Sequence, residues 1–184
     1  MYQLTAETRN ETLKAKQLRA SGMVPGNIYG GGLPATLLIQ IPRLAAAKLL
    51  RVKAKGGSLL LNCGGEAYQV LLQDISTVPL TGEIQNLSFQ SLLSGEVVTS
   101  AARVVLQNED KVSLLVQQLL AEISYQALPC DLIDQVEIDV ADMAVGSSVT
   151  LGDLAISKNE KIKLLLPLES VVLNLLDGKT ADLA

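Results

Sequence analysis

The stretch Val24-Pro25-Gly26-Asn27-Ile28-Tyr29-Gly30-Gly31-Gly32 sets an aromatic ring against three consecutive glycines, directly after a short basic segment. A strand that runs into a turn accounts for it, because glycine tolerates the positive φ angles at which a chain reverses. The same residues also suit the docking of something flat and polar. Bare backbone lets a ligand approach closely, and a tyrosine offers both a ring face and a hydroxyl. No Gly-Lys-Ser/Thr follows and no G-x-G-x-x-G opens a helix, so a phosphate loop is excluded and a mononucleotide is not the expected ligand.

Working outward, the alternation in Tyr2-Gln3-Leu4-Thr5-Ala6-Glu7 predicts an edge strand. Leu13 to Ala20 predicts a basic helix stopped by Gly22, after which Pro25 hands the chain to the Ile28-Tyr29 strand. Thr36 to Ile41 predicts another strand, and Pro42 stands where the first position of a helix from Arg43 to Val52 belongs. Leu59 to Asn62 and Ala67 to Asp74 flank Cys63-Gly64-Gly65-Glu66, the mark of a hairpin, and a strand from Glu83 to Leu92 follows. Strands with only two short helices favour a small barrel over a parallel sheet. Ser94-Gly95 marks a boundary, giving domains 1–93 and 94–184. In the second, residues 97–106, 122–128, 136–140, 148–151, 161–166 and 170–176 read as strands, so this half is expected to be all-β. Leu114 to Ala121 is apolar but too short for its period to separate helix from strand.

The 184 residues are 48% hydrophobic, enough to bury a core in each half, but only 3% are aromatic, so Leu, Val, Ile and Ala must build those cores. There is no run of 18 apolar residues and the first 20 residues are charged throughout, which points to the cytoplasm and to no membrane partner. Histidine is absent, and Cys63 and Cys130 are far apart, so a zinc site lacks ligands and two reduced thiols are expected. Without an imidazole the Ser-His-Asp and Cys-His arrangements are gone. The only acidic pairs, Asp131 beside Cys130 and Glu137 with Asp139, read as turn and strand-surface residues. Neither a catalytic residue nor a metal, cofactor or small-molecule substrate is expected.

Charge divides the chain. Residues 1–93 carry nine Lys and Arg against five acids, a net of +4, whereas residues 94–184 carry six against fourteen, a net of −8. Such asymmetry suits a polyanion-facing domain joined to one that repels polyanions.

The order of residues also resembles a known family. Leu4-Thr5-Ala6-Glu7-x-Arg9, Lys14-x-Lys16-x-Leu18-Arg19-x-x-Gly22-x-Val24-Pro25 and Ile28-Tyr29-Gly30-Gly31 are similar to the N-terminus of the bacterial large-subunit ribosomal proteins that bind 5S ribosomal RNA. Val70-Leu71-Leu72-Gln73-Asp74, Pro79 and Phe89 fit that family's central strands. Leu128-Pro129-Cys130-Asp131-Leu132, Val136-Glu137-Ile138-Asp139-Val140 and Val145-Gly146 resemble the extra domain of its two-domain, general stress protein (Ctc) type. The resemblance implies a mainly β (α+β) chain: a six-stranded N-terminal β-barrel with short helices that docks on an internal loop of 5S rRNA, then a β-rich second domain. It implies other large-subunit proteins as neighbours and a place on the cytoplasmic ribosome. By position, it makes Arg9, Lys14, Lys16, Arg19 and Tyr29 RNA contacts, with Gln73 from a neighbouring strand. Asn86 and Ser88 stand where the family has a histidine-x-aspartate pair before the last barrel phenylalanine, and they inherit its contact position. A diverged stress-response paralogue, acting as a protein-interaction module without stable RNA binding, is the alternative reading.

Overall fold

The computed structural model describes residues 2–108, 115–141, 143–144 and 146–176. Leu114 and Val145, which figure in the sequence reading, lie outside them. Six strands form the first domain: β1 (Gln3–Thr8), β2 (Met23–Tyr29), β3 (Leu37–Pro42), β4 (Ser58–Cys63), β5 (Glu66–Thr77) and β6 (Ile84–Ser91). They close into a barrel in the order β1-β3-β2-β6-β5-β4. Closure corrects the reading of residues 2–7 as an edge strand. β1 pairs antiparallel with β3 and parallel with β4, and a closed sheet leaves no edge. Alternation fills the interior: Leu59, Leu61 and Cys63 of β4 point in and share one core with Leu72 of β5 and Leu87 and Phe89 of β6.

Two helices cap this barrel. The first, α1 (Ala15–Ala20), is shorter than predicted because Asn10 Oδ1 accepts from the backbone N and hydroxyl of Thr12, which holds residues 10–12 in a turn. Leu18, 1% exposed, anchors it to the barrel. The second, α2 (Arg43–Val52), has the predicted bounds, with Pro42 one place earlier as the extended residue before it. β2 begins at Met23, well before the predicted Ile28. Pro25 lies inside it, in register with Gln40 of β3 and one residue before the ladder to β6 opens at Gly26.

The chain then builds two further sheets. β7 (Val98–Gln107), β9 (Glu122–Ala127), β10 (Gln135–Asp139) and β12 (Lys163–Leu164) form one in the order β10-β7-β9-β12. β8 (Leu115–Gln118), β11 (Ser148–Thr150) and β13 (Val171–Leu176) form the other, in the order β11-β13-β8. The ambiguous apolar run is thus a strand over Leu115–Gln118, and its described remainder, 119–121, is irregular. The predicted strand 161–166 shrinks to two residues, Lys163 and Leu164, which pair in register with Gln126 and Tyr125 of β9, while Leu165 N adds one further bond to Ser124 O at 3.1 Å. Ile123, Tyr125, Leu151, Val172, Leu173 and Leu175 fill the space between the sheets. Both cysteines are free.

Tyr125 is fully buried, and its hydroxyl donates to Ile133 O at 2.8 Å while accepting from Ile133 N at 2.7 Å. This pins the loop that carries Asp134. Tyr125→Phe leaves both backbone groups without that partner, and we expect a stability loss of about 1–3 kcal/mol in urea denaturation. A loss near zero would mean that water replaces the hydroxyl.

The two domains meet through an apolar contact of Leu71, Leu92 and Val98 with Leu132 packed against it. Ser100 Oγ donates to Gly56 O at 3.1 Å, and Lys53 pairs with Asp134 across the same seam. Gly56, at φ +85°, lies so close to β7 that a Cβ there would be 1.9 Å from Ala101 O.

Candidate nucleic-acid interface

Parallel pairing of β2 with β6 puts Asn27 opposite Ser88 and Tyr29 opposite Gln90, all on the outer face because Ile28, Leu87 and Phe89 point into the core. On the other side of β6, Ser88 faces Asp74 and Asn86 faces Ser76 of β5. A bulge at Leu72/Asp74 makes Gln73 the extra residue, so Gln73 and Asp74 together span the place of one normal residue. On the remaining flank Asn27 faces Leu38 of β3, whose carbonyl accepts from Arg9 N at 3.0 Å. The result is one lateral row across four strands, Leu38, Asn27, Ser88 and Asp74, extended by Arg9 just past the end of β1.

Within the row, Asn86 Nδ2 donates to Ser88 Oγ at 3.2 Å and Ser88 Oγ donates to Asn27 Oδ1 at 3.0 Å. Three short polar side chains therefore hold one another in place. Asp74 lies directly opposite Ser88 on the ladder, so in this chain that carboxylate faces a neutral hydroxyl.

Tyr29 is half-buried beside the row. Desolvation, and secondarily the charge of Asp74, push its phenol above its ordinary pKa. The neutral form is thus favoured in the folded chain, an advantage that is complete below pH 10 and fades as pH climbs past the raised value. At neutral pH the hydroxyl is a hydrogen-bond donor. The glycines after it answer a structural need: Gly30, Gly31 and Gly32 all have positive φ, and a Cβ on Gly31 would sit 2.4 Å from Ser91 O. The strand-and-turn reading explains the glycines, and the turn leaves Tyr29 at the end of an exposed face.

Basic residues border this face. Arg19 Nη1 donates to Gln85 O at 3.4 Å, which ties α1 to β6 one residue from Asn86. Lys14 and Lys16 are exposed on and before the same helix. Arg9 is half-buried, and its Nε is buried without a hydrogen-bond partner, a polar atom that a ligand could satisfy. The fold thus brings together Tyr29, Gln73, Asn86, Ser88 and Arg19, with Arg9 at one end of the row and Lys14 and Lys16 on its rim. Asn27, Asp74 and Gln90 were missed by the sequence reading. Alternation from Tyr29 reaches Asn27, but the bulge hides Asp74, and the pairing of Gln90 with Tyr29 is a tertiary fact.

Carboxylates that sequence reading weighed as catalytic are occupied elsewhere. Glu137 accepts from Gln107 and Gln135, Asp139 accepts from Asn108, and Asp131 pairs with Lys161.

Comparison with known proteins agrees with this architecture. Residues 4–89 match the ribosomal L25p family and residues 97–177 match the C-terminal domain of ribosomal protein TL5. The chain belongs to the ribosomal L25p family. It is 30% identical over 177 residues to the large ribosomal subunit protein bL25 of Dictyoglomus thermophilum, covering 90% of this chain and 83% of that one. The bL25 of Halothermothrix orenii is 32% identical over 164 residues, covering 83% and 72%. That of Polynucleobacter asymbioticus is 31% identical over 166 residues, covering 86% and 78%. As a member of the L25p family with a TL5-type second domain, the chain is a structural ribosomal protein of the cytoplasmic ribosome rather than an enzyme.

Proposed function

We propose that this chain is a component of the large ribosomal subunit that binds 5S rRNA through the barrel's β2–β6–β5 face, with residues 1–93 supplying the contact and the acidic second half turned to neighbouring proteins. The observation that carries the reading is the polar row Asn27–Ser88–Asp74 with Asn86 and Tyr29 beside it, edged by Arg9, Lys14, Lys16 and Arg19. Side chains of this kind suit RNA. Lys and Arg supply phosphate contacts and hence affinity, while short amides and hydroxyls reach 2′-hydroxyls and base edges in a wide, shallow minor groove. The net of +4 in residues 1–93 favours the same partner.

Equilibrium titration of the full chain with 5S rRNA at several salt concentrations tests the proposal. We expect tight, salt-dependent binding, and a loss of about 1 kcal/mol for Tyr29→Phe, which keeps the ring and removes a donor. Absence of binding at low salt would favour the paralogue reading, in which the fold serves protein contacts alone.

A further inference from the structure

A second group of basic side chains gathers where the domains meet. A cleft of about 140 Å³ is lined by Arg51 and Lys53, at the end of α2 and just after it, and by Arg103 of β7, with Asp134 and Gln135 beside them. Asp134 is already engaged, since its carboxylate takes the ammonium of Lys53, whose side chain is only 16% exposed. Arg51 and Arg103 are exposed, and among the described residues neither guanidinium has an ion-pair partner. Glu122 is the register neighbour of Arg103 on β9 but forms no salt bridge with it. The carbonyl end of α2 offsets about half a charge. Three cations against Asp134 and the neighbouring Glu122 still leave the cleft slightly positive.

This placement runs against the composition of the half that contributes to it. Residues 94–184 carry a net of −8 and a single arginine, Arg103, and that arginine lies at the seam with the basic domain. The seam also adjoins β5, the strand that carries Gln73 and Asp74. Gly56 N donates to Leu72 O and Leu72 N to Gly57 O, so the loop after α2 is bonded to β5 one residue from Gln73. The domain contact through Leu71, Leu92, Val98 and Leu132 holds both walls of the cleft in place.

We propose that this cleft is a second contact for the same RNA, in which Arg51 and Arg103 take a backbone phosphate. Planar guanidinium forks match phosphate geometry, and both are unspent. The inference rests on the RNA-binding reading above and extends its footprint onto the second domain.

The test is titration of the full chain with 5S rRNA across a salt series, comparing wild type, Arg51→Gln with Arg103→Gln, and Arg51→Lys with Arg103→Lys. Losing the contact should flatten the log-log salt dependence by about one unit, or nearly two if each arginine holds its own phosphate, and lower affinity roughly tenfold at low salt. The lysine pair, which keeps the charge but not the fork, should retain most of the slope while losing part of the affinity; a slope as flat as that of the glutamine pair would overturn the phosphate contact. Lys16→Ala with Arg19→Ala separates the two claims. If that pair weakens binding while the Arg51/Arg103 glutamine pair leaves slope and affinity unchanged, the cleft inference is overturned and the barrel-face reading stands. If wild type does not bind at all, both fall together.

Discussion

Gly56→Ala is expected to destabilise the protein by about 3–4 kcal/mol, among the larger effects a single methyl can have. Two costs combine. At φ +85° an alanine is held in the left-handed region, which costs about 1–2 kcal/mol. The added Cβ would also lie 1.9 Å from Ala101 O and 2.8 Å from Ala101 N and Ser100 Oγ, so β7 must move away from the loop. Withdrawal breaks the Ser100–Gly56 hydrogen bond and opens the Leu71–Val98–Leu132 contact to water. Gly65→Ala is the matched control: it has φ +90° but nothing within 4 Å of its Cβ, so it carries the backbone cost alone. Urea denaturation of both variants, with limited proteolysis around residues 94–97, separates the terms. Equal losses for the two substitutions would show that the domains do not press on each other at Gly56.

The largest effect on binding is expected from Lys14→Glu, Lys16→Glu and Arg19→Glu together. At about 0.1 M salt, a phosphate contact with a slope of about 0.7–0.9 is worth a factor of roughly 5–8, so three lost contacts weaken binding by about two to three orders of magnitude. Reversal of sign adds repulsion, bringing the expected loss to about a thousandfold or more. The fold should survive, because Lys14 and Lys16 are exposed and α1 is anchored by Leu18 rather than by charge. Circular dichroism checks that point, and titration against 5S rRNA measures the loss. A variant that binds within tenfold of wild type would place α1 off the RNA.

Particular residues mark how far sequence reading reached. The hairpin at Gly64-Gly65, the bounds of α2 and the β character of both halves follow from local signals: turn glycines, a proline ahead of helix formers, and alternation. These depend on the φ and ψ preferences of neighbouring residues, which are written in the chain. Failures occurred where a partner strand decides. Residues 2–7 alternate as an edge strand would, but barrel closure supplies a second partner in β4. Residues 161–166 look like a strand, yet only Lys163 and Leu164 stand in ladder register with β9.

The same division holds for the candidate interface. By itself the sequence determined a basic first half, an acidic second half, two reduced thiols and the absence of any imidazole. It also carried, through resemblance, the positions Arg9, Lys14, Lys16, Arg19, Tyr29, Gln73, Asn86 and Ser88. Tertiary structure alone decided that Asn27 lies opposite Ser88, that a bulge aligns Asp74 with that pair, and that Arg103 of the acidic half faces Arg51 and Lys53 across a seam. The physical reason is that side-chain identity and local backbone preference are properties of neighbours in sequence. Register, bulges and domain contacts are set by which distant surfaces bury one another, and those surfaces meet only when the barrel closes and the second domain packs against it.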